Sequence, residues 1–268
     1  MIELFEKDIK QDDRQSSKGN QLKWENNGIW YKTDYTGYEG LSEYVVSQLL
    51  KKSSLERIEF AEYYPEEIRY KTQIMNGCKS RDFSEGWQTI TLERLFKNQY
   101  AMSLNRGIYS LENYEDRLKY LVEQAERITG IKEFGVYMAK LLTIDALFLN
   151  EDRHTHNISV LMKNNKYCLC PIYDNGAALM SDTTMDYPLG CDIYNEIKNV
   201  KAKTFCDSFE EQLDASEKLY GRPLAFSWGE KDITACLEKA PMYSKEIKDR
   251  VKDILLEQRR KYRYLFRS

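Results

Sequence analysis

Apolar positions along this chain change period once, and the change divides the sequence. Toward the N-terminus the runs are short and alternate with polar residues. Residues 22–25 and 29–33 read as two strands joined through Asn27-Gly28, the strongest short-range hairpin signal. Residues 58–64 and 70–78 are rich in β-branched and aromatic side chains and predict further strands, with Pro65 between them. Between the strand pairs, Leu41, Tyr44, Val45 and Leu49 fall on one side of a helix over 38–51. Residues 1–15 are polar and predict a loosely held start. Thr91 is placed to cap a short helix within 87–98.

From Leu111 onward the period is helical. Leu111, Tyr114, Leu118, Leu121, Val122, Ala125 and Ile128 make a stripe that stops at Gly130. A second, more apolar helix is expected over 131–150. Further helices are expected over 208–220 (ended by Gly221), 231–239 and 244–266. These patterns predict an α+β protein with a β-rich N-lobe over 1–98 and a helical C-lobe over 99–268. No internal repeat or low-complexity segment is visible, and residues 177–205 lack clear periodicity.

The second apolar helix runs into a polar knot, Asn150-Glu151-Asp152-Arg153-His154-Thr155-His156-Asn157. Ile158, Val160 and Met162 then alternate outward, Asn164-Asn165 turns, and Tyr167 to Cys170 returns toward Asp174-Asn175-Gly176. The order brings Asp152, Asn157 and Asp174 to the mouth of one two-stranded ribbon. An Asp five residues before an Asn, followed after a hairpin by a second Asp, suits phosphoryl transfer. That reaction needs a carboxylate to orient the attacking hydroxyl and hard oxygen ligands for Mg²⁺. Each half alone occurs in ordinary turns; the joint pattern is the informative one. If the chemistry is phosphoryl transfer, Lys32 on the second N-terminal strand is placed to contact phosphate. Glu39 or Glu43 on the following helix would then hold that lysine, and the deeper position favours Glu43.

Composition narrows the class. The 268 residues carry a net charge of −3 with 42% apolar residues, enough for a sizeable core and without the basic excess that nucleic-acid binding normally asks for. The six cysteines form no C-x-x-C pair, and the two histidines both lie in the polar knot, so reduced thiols are expected rather than a zinc site. The N-terminus lacks an apolar signal core, and no run reaches the length of a membrane span. A cytoplasmic protein is expected, or a secreted effector acting in a host cytosol.

The knot and the Pro171-Ile172-Tyr173-Asp174-Asn175-Gly176 segment resemble the catalytic loop and metal-binding segment of HipA-like serine/threonine kinases. Gly19-Asn20-Gln21-Leu22-Lys23 is similar to that family's G-x-Q-x-K phosphate loop, with Leu22 where many members carry Pro. The compact size and the Asp-Asn-Gly form are closest to small members of the CtkA type. The resemblance implies a two-lobed kinase fold of the HipA/PI3K-like kind, ATP and Mg²⁺ as cofactors, and transfer to Ser or Thr of a protein substrate. It implies Asp152 as catalytic base, Asn157 and Asp174 as metal ligands, and Lys32, Gly19, Gln21 and Glu43 around the nucleotide. It also implies autophosphorylation, with Ser16 or Ser17 as acceptors. The long N-terminal subdomain of full-length HipA toxins is not found, so an antitoxin partner has no support. Two alternatives stand beside this reading: a phosphoinositide-type lipid kinase, whose activation segment Lys198, Lys201 and Lys203 would thinly supply, and a pseudokinase interaction module.

Overall fold

A computed structural model describes residues 1–10 and 21–267. In chain order the first elements are β1 (Ile2–Leu4), β2 (Lys23–Asn26), β3 (Ile29–Thr33), α1 (Glu39–Leu50), β4 (Tyr63–Tyr70) and β5 (Gln73–Arg81). Then come β6 (Gln88–Thr91), α2 (Leu92–Tyr100), α3 (Leu104–Tyr109), α4 (Tyr114–Thr129), α5 (Phe134–Phe148), β7 (Ser159–Lys163) and β8 (Lys166–Leu169). The chain ends through α6 (Ile193–Glu196), α7 (Phe209–Tyr220), α8 (Glu230–Glu238) and α9 (Lys245–Lys261). The protein is α+β.

Two compact units result. The first comprises Met1–Phe83, Tyr173–Val200 and Phe226–Ser268; the second comprises Ser84–Ile172 and Lys201–Ala225. The first unit is built on a five-stranded sheet of order β1-β4-β5-β3-β2. Its β2–β3 turn places both Asn27 (φ 53°) and Gly28 (φ 75°) in the left-handed region, as a tight hairpin with native twist requires. Leu4, Trp24, Tyr31 and Ile68 bury one face of that sheet. Helix α1 packs on β4, β5 and α8, and α8 packs on α9, all within the same unit.

The second unit holds a three-stranded sheet of order β6-β7-β8, packed with α2, α3, α4, α5 and α7. Helix α5 is apolar on all sides and almost wholly buried, as a helix at the centre of its unit must be. Thr91 caps α2 by accepting from the Arg94 amide, and Gly130 (φ 76°) ends α4.

Four expectations are corrected. The first residues are not loose, because Ile2–Leu4 pair in parallel with Ile68–Tyr70; residues 11–15 of the same expectation lie outside the described residues. Pro65 lies within β4 rather than between strands. Strand β1 reaches only Ile68–Tyr70, so the stretch holding Pro65 is an edge on that side, where proline is tolerated. Residues 57–59 are a 3₁₀ turn, not strand. The ribbon after the polar knot is three-stranded, because Gln88–Thr91 pair with Ser159–Met162 before α2 begins. All six cysteines are free thiols. Among the described residues no helix is long and apolar enough to cross a membrane.

Candidate active site

The sequence-predicted residues fall in both units. Gly19, and with it Ser16 and Ser17, lies outside the described residues. Gln21 is described, and its side-chain amide donates to the Thr33 carbonyl at 2.8 Å, tying the start of β2 to the end of β3.

In the first unit, β3 carries Lys32 and α1 carries Glu43 opposite it. Lys32 Nζ donates to Glu43 Oε1 at 2.6 Å and to Asp174 Oδ1 at 2.9 Å. The Glu43 side chain is only 1% exposed, and its second oxygen accepts from the Asn175 backbone N–H at 2.8 Å. Glu43 therefore joins the lysine to the segment that carries Asp174. Ser42, one residue earlier, donates to the Asn175 and Ala178 carbonyls, and Asp174 itself sits at φ 64°. Burial opposes the charge on Lys32, but the carboxylates of Asp174 and Glu43 outweigh it and hold the amine well above its ordinary pKa. Glu39, the other glutamate considered, turns back to accept from the amides of Tyr35, Thr36 and Gly37. It fixes the turn that leads into α1.

In the second unit, the knot between α5 and β7 is a set of interlocked turns. Asn157 donates from Nδ2 to the Asp152 carbonyl (2.8 Å) and to Asp152 Oδ2 (3.2 Å). The Asn157 amide in turn donates to the His154 carbonyl at 2.7 Å. Beneath the loop, Arg153 and Asp145 form an ion pair with side chains 2% and 1% exposed. Arg153 also donates to the Asn157 carbonyl, and its own carbonyl accepts from Thr204 Oγ1. Burial raises the Asp145 pKa, and Arg153 partly offsets that rise. Removing one partner of such a pair strands a buried charge, at a cost of about 3–5 kcal/mol. Glu93 on α2 holds the loop from the other side, accepting from Thr155 Oγ1 and from the amides of Leu104 and Asn105.

His154 holds the loop mainly through its main chain. The backbone N–H and C=O of His154 make the turn hydrogen bonds, while Nε2 lies 3.7 Å from Asp152 Oδ1 and the buried Nδ1 has no partner among the described residues. Burial lowers its pKa, with Asp152 acting in the opposite sense. Lys203, in the sequence only one of a small lysine cluster, comes beside the polar knot. Its Nζ lies 3.8 Å from Asp152 Oδ1, although 51 residues separate them. Lys201 pairs with Asp207 at 3.1 Å, so the Lys198–Lys203 cluster is not a uniform basic face. Asp145 did carry a signal: a charged residue at a core position of an otherwise apolar helix requires a buried partner.

Asp174 and Asn157 supply hard oxygens suited to Mg²⁺. Asn157 commits its Nδ2 end to Asp152, so its carbonyl oxygen Oδ1 is the end with ligand chemistry left over. Among the described residues no three His, Cys, Asp or Glu side chains gather as a self-sufficient metal cage.

No protein-family model matches the sequence, and no curated protein does. Solved structures do match the fold. The proinflammatory kinase CtkA of Helicobacter pylori aligns with a TM-score of 0.65 at 17% identity, covering 97% of this chain and 95% of that one. The fold is that of the HipA-like kinases. HipA of Shewanella oneidensis MR-1, solved in a toxin–antitoxin complex with HipB and operator DNA, aligns with a TM-score of 0.54 at 13% identity. It covers 96% of this chain and 67% of that one. On this HipA-like fold, the Lys32–Glu43–Asp174 cluster and the Asp152–Asn157 loop are the two polar constellations assembled from the sequence motifs.

Proposed function

We propose that this chain is an ATP- and Mg²⁺-dependent serine/threonine protein kinase of the HipA-like type. The observation that carries the reading is the ion-paired lysine: Lys32 Nζ at 2.6 Å from Glu43 and 2.9 Å from Asp174. A lysine fixed on a strand by a helix glutamate is the phosphate-binding arrangement of kinases. Under this reading residues 1–98 act as the nucleotide-holding lobe, and residues 99–268 carry the catalytic loop and metal-binding hairpin. Lys32 contacts phosphate oxygens, with Glu43 holding it in place, and Gly19 and Gln21 belong to the phosphate loop. Phe83 and Tyr173, whose rings lie 5.0 Å apart, offer an apolar surface for adenine.

Asp152 accepts the hydrogen bond of the incoming Ser or Thr hydroxyl and takes its proton as the new O–P bond forms and the bond from the γ-phosphorus to the bridging oxygen breaks, with ADP leaving. Asn157 and Asp174 would hold the metal, which would supply neutralisation of the charge building on the phosphate oxygens. Lys203 adds a positive charge beside Asp152, and autophosphorylation at Ser16 or Ser17 fits the same chemistry.

The test is incubation of the pure protein with Mg²⁺ and labelled ATP, alone and with protein or lipid mixtures. Label should enter the protein itself or added protein. Asp152→Ala should lower transfer by about 10²–10⁴-fold with nucleotide binding retained, whereas Asp174→Ala should weaken Mg²⁺–ATP binding. Equal loss of binding in both variants would break the role assignment. Label in lipid would point to a lipid kinase, and absence of nucleotide binding to a pseudokinase.

A further inference from the structure

A cavity of about 560 Å³ lies wholly within the second unit, a volume in the range of ligand pockets. His154 and Lys203 line it, and both approach the same oxygen of Asp152. The cavity therefore adjoins the proposed base. Arg117 also lines it, and that side chain is fixed before any ligand arrives. Its guanidinium carbon sits 5.0 Å from the Tyr109 ring and 5.3 Å from the Tyr114 ring. Nε donates to the Leu111 carbonyl at 2.7 Å, and Nη1 donates to the Phe205 carbonyl at 3.0 Å. These two bonds leave further N–H donors on the planar fork. A guanidinium already held against two aromatic rings and two carbonyls loses little entropy on binding, and its geometry matches carboxylate and phosphate.

The charge balance points the same way. Lys201 pairs with the lining Asp207 and Lys203 approaches Asp152, so three cations meet two carboxylates, and Arg117, fixed by carbonyls, carries the excess in a chain whose net charge is −3. A concave site with a local excess of one sign draws ligands of the other.

We propose that this cavity receives the protein acceptor and selects Ser or Thr sites accompanied by an anionic side chain, either Asp/Glu or an already phosphorylated residue. This rests on the kinase reading. A single anionic side chain can reach Arg117 past Asp207. A broad anionic membrane surface would instead meet the Asp207 carboxylate, which is 67% exposed.

The test has a binding arm and a transfer arm. In the first, fluorescent peptide pools with Ala at the acceptor position and Glu, phosphoserine, Ala or Lys in the flanks are titrated by anisotropy. The Glu and phosphoserine pools should bind about tenfold more tightly than the Ala pool, as expected for pairing with a pre-organised cation; the tighter of the two names the source of the anion. Arg117→Gln and Lys201→Glu should each shrink that preference, and Arg117→Lys should keep part of it. Lys201 is 69% exposed, so its variant remains informative if Arg117→Gln does not fold. Equal binding of the Glu and Ala pools, a preference for Lys, or stronger binding to phosphatidylcholine vesicles doped with phosphatidylinositol 4-phosphate overturns the inference. In the second arm the same pools carry Ser and receive labelled ATP. Transfer without anionic preference sinks this inference alone. Anion-dependent binding without Asp152-dependent transfer removes the kinase reading and leaves the anion pocket standing.

Discussion

Asp34 stands at the hinge between β3 and α1, where its Oδ1 accepts from the Gly40 amide at 2.6 Å. Burial raises its pKa from 3.8 to about 7; the Gly40 N–H pulls it down, and the charge on Glu39 pushes it up. Between those two values the folded protein keeps a proton that the unfolded chain gives up. The associated stability is full below pH 3.8 and is lost as pH climbs through about 7. Asp34→Asn keeps an acceptor oxygen for Gly40 and abolishes the titration. Thermal melts at pH 5 and pH 8 should show the wild type losing more stability between them than the variant; parallel losses would mean that Asp34 does not titrate there. Single residues were legible to different degrees. Asp152, Asn157 and Asp174 stood out because their spacing is local, and Glu43 was preferred to Glu39 because of its depth in the helix. Lys203 was legible only as one of a lysine cluster; its place beside Asp152 was not, because nothing near position 203 refers to Asp152.

Elements repeat that division. The β2–β3 and β7–β8 hairpins were legible from their turns, since Asn27-Gly28 and Asn164-Asn165 all take positive φ and few other pairs do so cheaply. Strands β1 and β6 were not legible, because each is a short segment stabilised by a partner far along the chain. Helix α1 rests on a contact that depends on two glycines. A Cβ at Gly40 would lie 2.6 Å from the Gly77 carbonyl carbon and 2.9 Å from Asp34 Oδ1. Gly40→Ala should push α1 off β5, costing about 1–3 kcal/mol in denaturant unfolding, and should loosen the Lys32–Glu43 pair. Gly190→Ala, where a Cβ meets nothing within 4 Å, is the control and should be near neutral. Equal stability of the two variants would show that the close approach is not required.

At the scale of the whole molecule, a ligand that binds only the folded state must stabilise it. Mg²⁺–ATP at about one hundred times its Kd should add about 2.7 kcal/mol, read as a rise in Tm. Lys32→Ala and Asp174→Ala should reduce that rise; an unchanged Tm in the wild type would count against nucleotide binding. The sequence by itself determined the α+β class, most of the helices and the identity of the hydrophilic motifs, because periodicity, turn chemistry and motif spacing are encoded over neighbouring residues. Only the tertiary structure decided that Lys32 is shared by Glu43 and Asp174, that Arg153 is buried against Asp145, and that Lys203 stands beside Asp152. It also decided that Met1–Phe83 and Phe226–Ser268 fold into one unit. Such pairings join residues far apart in sequence or across a loop, and what selects them is the burial of apolar surface and the need to partner each buried charge.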